Sequence, residues 1–139
     1  MSVEFGDLQA VWLDLKAHVD RLAGERAQYL ELFEAAADAY VLTDPHGHVI
    51  EANGAAVDIL QRRKHYLRGK PLAVWIAPER RPGFRSRLNA LVARRESAER
   101  SWRTVIVSGA DALDVKITAR PIVRDERVTG VCWLLQPAQ

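Results

Sequence analysis

The chain has 139 residues, 48% of them apolar, which is enough for one domain with a real core plus an extension. Its one cysteine, Cys132, excludes an internal disulfide; Glu4 and Asp7 replace a basic leader, and no run approaches the ~18 apolar residues of a membrane helix, so a soluble cytoplasmic domain without a membrane partner is expected. The net charge of +2 hides an asymmetry: residues 1–61 carry three basic and eleven acidic side chains, and residues 62–103 carry thirteen basic and three acidic. Such halves can pair within the chain, across a dimer or with separate partners, and a solvated basic face is the simplest outcome.

From Val3 to Asp38 there is no proline, and Leu8, Val11, Leu15, His18, Leu22, Glu25, Tyr29, Leu32 and Ala36 recur at three- and four-residue steps. Trp12, Val19 and Phe33 widen this stripe, while His18, Gly24 and Glu25 interrupt its centre. The pattern predicts a long amphipathic helix over 1–38, suited to packing on its own chain or a second copy rather than to a narrow zipper.

Tyr40–Asp44 and His48–Ile50 read as strands joined by Asp44-Pro45-His46-Gly47, a turn with Asx, proline and glycine chemistry. Asn53 then caps a helix that begins at Gly54. Gln61–Leu72 is polar and punctuated, and Ala73-Val74-Trp75-Ile76 is an apolar plug. A longer helix opens near Pro78, its regular part expected from Phe84 because Pro82-Gly83 disturb the first turns, with Phe84, Leu88, Leu91 and Val92 on one side. Trp102–Ser108, a turn over Gly109–Ala112, an alternating strand from Leu113, a turn at Asp125-Glu126-Arg127 and a last strand Val128–Leu135 complete the chain. Pro121 predicts an edge or a bulge late in the alternating strand. Val131–Leu135 is apolar on both faces, so cover on both sides is expected, with the N-terminal helix as the second cover.

The motif Asp44-x-x-Gly47-x-x-Ile50-x-x-Asn53-x-Ala55-Ala56, followed by Gly69-Lys70-Pro71-Leu72, resembles the PAS domain, a sensory and interaction module of signalling proteins. The resemblance covers roughly residues 33–137. It implies an α+β fold, a five-stranded antiparallel sheet with helices on one face, here preceded by the long N-terminal helix and occupying 39–139. It also implies a regulator that changes the packing of the flanking helix in response to a ligand or partner and passes that change to an effector domain or partner protein, with a homodimer formed through the helix. A ligand-free homodimerisation scaffold is the alternative, and an arginine-rich nucleic-acid-associated module ranks third.

In the family, ligands sit between sheet and helices, which makes Trp75, Trp102, Trp133, Phe84 and Leu88 candidate cavity-lining, cofactor-binding residues; aromatic filling of the core competes with that role. The cofactor is left open. Cysteine-adduct flavin chemistry needs a cysteine in the helical segment, and Cys132 lies on the last strand. Haem is disfavoured because Pro78–Arg100 holds no histidine and His65 sits in the basic Arg63-Lys64-His65. His46 and His48 read as turn residues, not metal ligands. No phosphate loop or nucleophile signature appears, so no enzyme is expected. Arg80, Arg81, Arg85, Arg87, Arg94 and Arg95 suit an acidic docking partner better than nucleic acid, since only Phe84 could stack on bases among them.

Overall fold

The computed structural model describes residues 5–94 and 98–138. The side chains of the stripe positions Leu8, Val11, Trp12, Leu15, His18 and Tyr29 lie outside the described residues, as do Arg94 and Arg95. The chain divides between Phe33 and Glu34 into two compact units. The body of helix α1 (Phe5–Ala35) makes the first, and Gly24 does not interrupt it.

The second unit carries strands β1 (Ala39–Thr43) and β2 (Val49–Ala52), helices α2 (Gly54–Leu60), α3 (Lys64–Leu67) and α4 (Arg81–Arg94), and strands β3 (Arg100–Ser108), β4 (Asp111–Arg124) and β5 (Arg127–Pro137). Short 3₁₀ turns at Leu72–Trp75 and Pro78–Arg80 lead into α4. The strands form one antiparallel sheet in the order β2-β1-β5-β4-β3, the α+β architecture expected. Val41, Thr43, Ile106, Val115, Ile117, Ala119, Val131, Trp133 and Leu135 alternate onto one buried face. Leu60, Leu67, Leu72, Ile76, Phe84, Leu88 and Leu91 from the helical segments complete that core.

Asn53 ties the opening together. It is fully buried, and its Oδ1 accepts from the Tyr40 N–H at 2.9 Å and the Ala56 N–H at 3.0 Å. Its Nδ2 donates to the Asp38 carbonyl at 2.8 Å. One side chain thus caps α2, registers the start of β1 and holds the chain entering it. In the β1–β2 turn, Asp44 Oδ1 accepts from the His46 and His48 amides, both at 2.9 Å. Partial burial pushes the Asp44 carboxyl up, but those amides and the His48 imidazole at 3.3 Å prevail and hold it below its ordinary value. Gly47 supplies the left-handed φ of +87°.

Several boundaries differ from the sequence expectation. α4 begins at Arg81, not Phe84. Pro82 falls in its first turn, where its missing N–H costs nothing. Arg81 folds back so that its guanidinium donates to the carbonyls of Ala73, Val74 and Ile76, closing the 3₁₀ turn ahead of it. β3 starts at Arg100 rather than Trp102, and the β3–β4 turn shrinks to Gly109-Ala110 because pairing runs to Ser108↔Asp111. β4 lies between β3 and β5, yet β3 pairing ends at Arg100↔Ala119, so Pro121 sits on a locally free edge, beside a register shift at Ile122/Val123. Gly130 lets β5 approach β1: a Cβ there would lie 2.9 Å from the Thr43 carbonyl oxygen.

The β4–β5 loop is closed by Arg124↔Arg127, with Asp125 and Glu126 both left-handed at φ 51° and 62°. A non-glycine pair in this geometry stores strain of about 1 kcal/mol per residue. Glu126→Gly should therefore stabilise the protein by about 1 kcal/mol, read as a higher urea midpoint with unchanged slope. Asn53→Ala should cost about 3 kcal/mol in the same measurement, because it strands two backbone donors and one carbonyl at a buried site.

Candidate functional site

The predicted cavity residues come from three parts of the chain. Phe84 and Leu88 are one turn apart on α4 and both point into the core, because Phe84, Leu88 and Leu91 share one helical face. Trp133 stands at the centre of β5 with no exposure, and Trp102 lies half-buried on β3. Phe84 stacks on Trp133, with ring centroids 5.0 Å apart and an interplanar angle of 28°, while Trp102 meets the Trp133 edge at 6.1 Å and 86°. Phe84 and Trp102 are 6.5 Å apart. These distances are those of mutually packed aromatics. Trp133 Nε1 donates to Thr43 Oγ1 at 2.9 Å, and the Thr43 hydroxyl donates to the Asp44 carbonyl at 2.9 Å, which joins the stack to the β1–β2 turn.

The stack does not include Trp75, which is buried on the 3₁₀ turn Leu72–Trp75. Phe84 and Leu88 also form the wall of a cleft of about 310 Å³ with His46, Gly47, Ala73, Arg85 and Asn89. Trp102 walls a second cleft, of about 130 Å³, with Arg87, Ala90, Leu91 and Arg100. Trp75 and Trp133 line neither. The structure thus brings four of the five residues to one helix–sheet layer.

His46, His48 and His65 are exposed. Among the described residues, no three His, Cys, Asp or Glu side chains are placed to hold a metal ion. Cys132 is half-buried on β5 across from Arg120; burial pushes its thiol up, and the guanidinium offsets part of that rise. Sequence reasoning missed one contact: the Arg87 guanidinium lies 5.0 Å from the centre of the Trp102 ring. Arg87 and Trp102 lie on different elements, and the only local signal was the i, i+3 spacing from Phe84 to Arg87 and the i, i+4 spacing from Arg87 to Leu91, which put the arginine at the border of the Phe84 face.

Comparison with known proteins matches the PAS fold family over residues 27–138. No curated protein sequence matches the chain. Among solved structures, the PAS domain of an HTR-like protein from Haloarcula marismortui superposes with a TM-score of 0.73 at 13% identity, covering 88% of this chain and 99% of its own. A PAS domain from Colwellia psychrerythraea gives 0.72 at 17% identity, covering 81% and 95%. A domain of a sensory box sensor histidine kinase/response regulator from Geobacter sulfurreducens gives 0.67 at 18%, covering 83% and 96%.

Phe84→Ala should cost about 4 kcal/mol by removing the ring that stacks on Trp133 and leaving a void between α4 and the sheet. Urea unfolding followed by tryptophan emission measures it; a loss under about 1 kcal/mol would mean that Phe84 is not packed as described.

Proposed function

The chain belongs to the PAS family, and from that premise we propose that it is a non-catalytic, cytoplasmic signalling module that regulates an effector domain or partner protein through the packing of α1. PAS domains are typical sensory and signalling modules of histidine kinases and regulators, and they generally regulate rather than catalyse. Among the described residues, no helix is long and apolar enough to cross a membrane.

The observation that carries this reading is the surface of α1. Leu13, Val19, Leu22, Leu30 and Leu32 are all exposed, Leu32 by 70%. Large apolar side chains gathered on one solvent-facing helix have a cost in water that a second copy of the helix, or an effector, removes. On the outer face of β5, Cys132 and Leu134 are only half-buried between the buried Val131, Trp133 and Leu135, so that strand also offers apolar area to a partner.

The second reading, a ligand-free dimerisation scaffold, is favoured by the Phe84–Trp133 stack, which occupies space a ligand would need. In the sensor reading, Trp75, Trp102, Trp133, Phe84 and Leu88 contact a small ligand once Phe84 yields. Native mass spectrometry decides between the two: added mass on each chain supports the sensor, and a clean dimer supports the scaffold. Leu22→Glu/Leu32→Glu should convert a dimer of the full chain into monomer by light scattering, with the helical signal of the second unit retained. A parent chain that is monomeric at high micromolar concentration overturns the helix-mediated dimer.

A further inference from the structure

β3 is the edge strand of the sheet, and the described residues of the second unit cover only part of its edge. The Ala77 N–H donates to the Val105 carbonyl at 2.8 Å, and Ile76 bridges Ile106. Past that point the chain turns away into α4. Backbone groups in an antiparallel ladder face alternate sides, so the N–H and C=O of Arg103 and Ser101 point to the same free edge as those of Val105.

A groove follows that edge. Its first section, about 260 Å³, is walled by Arg80, Arg103, Thr104 and Asp114. Its second, about 160 Å³, shares Arg80, Arg103 and Thr104 and adds Glu79, Gly83, Arg87 and Trp102. The cleft beside Trp102 and Leu91 continues it. Ion pairs among the described residues gather elsewhere, joining Glu51 to Lys64 and Arg68, Glu34 to Lys64, and Asp44 to His48. Arg80, Arg87 and Arg103 enter none of them. Arg103 also stands directly opposite Lys116 in the β3–β4 register, a like-charge placement that favours an anion beside it.

We propose that the free edge of β3, flanked by Arg80, Arg87 and Arg103 and floored by Trp102, is a docking groove for an acidic protein segment that adds as a sixth strand. Open ladder groups supply affinity for any extended backbone, the arginines select carboxylates, and Trp102 and Gly83 accept an apolar side chain between them. Arginines on an edge also guard against edge-to-edge association, but guarding alone does not require an aromatic floor with a guanidinium over it. The proposal uses no residue of α1 and does not depend on the helix reading.

The test uses the full chain and a short fluorescein-labelled peptide of alternating Glu and Val, with a Lys/Val peptide as its counterpart. Anisotropy should show saturable binding of the Glu/Val peptide alone. R80E/R103E should weaken it about tenfold or more, and R127E, at the β4–β5 loop, should leave it within about twofold. Amide exchange of the unmodified protein should slow at Ser101 and Arg103 when the peptide is added, a readout independent of any variant. Absence of saturable binding, equal weakening by R127E, unchanged exchange at those amides, or tighter binding of single-stranded oligo-dT than of the peptide would each overturn the assignment.

Discussion

The fold rests on the hydrogen bonds of one buried amide. Asn53 satisfies the Tyr40 and Ala56 amides and the Asp38 carbonyl at once, so β1, β2 and α2 meet at a single side chain. An asparagine suits this position because it offers an acceptor and a donor on one short, neutral group. A carboxylate has no donor for Asp38, and a serine cannot span all three partners. Because α2 starts where β2 ends, fixing that junction also fixes which faces of β1 and β2 turn inward. Thr43 then reaches both the Asp44 carbonyl and the Trp133 indole.

From that junction the constraint passes to the aromatic layer. Trp133 sits at the middle of the sheet, held by Thr43 on one side and covered by Phe84. α4 is therefore docked by a ring-on-ring contact rather than by small aliphatics, and α4 and β3 share the same aromatic layer through Trp102. A change in either the helix or the sheet is felt by the other, since packed interiors do not deform continuously. That coupling is the physical basis on which a module of this kind could convert a change in one layer into a change at its surface. Among the described residues of the second unit, α4 covers the sheet face while Ile76 and Ala77, between the two 3₁₀ turns ahead of it, bond the β3 edge.

The local grammar of the chain is largely legible in its sequence. The Asp44–Gly47 turn, the Asn53 cap and the alternation from Leu113 to Val123 are set by backbone geometry and by short-range bonds, which neighbouring residues dictate. The apolar face of α4 was equally plain. Boundaries were harder: Pro82-Gly83 read as a disturbance, yet a first helical turn tolerates proline, and α4 starts before them. Asp125-Glu126 read as a turn, but nothing local indicated that two non-glycine residues would both adopt left-handed angles; the register of β4 against β5 imposes that.

The sequence by itself thus determined the element order, the fold class and the identity of the capping and turn residues, because those follow from interactions within a few positions. Tertiary structure alone decided which aromatics meet. Phe84, Trp102 and Trp133 are far apart in the chain, and only the antiparallel crossover of β5 between β1 and β4 brings them into one layer while leaving Trp75 out. It also decided which arginines hold backbone and which line the groove. Arg80 and Arg81 are adjacent and chemically identical, yet the 3₁₀ turn before α4 aims Arg81 at three carbonyls and Arg80 into the groove. Side-chain direction at such a junction depends on the path of the folded backbone, which composition and spacing do not encode.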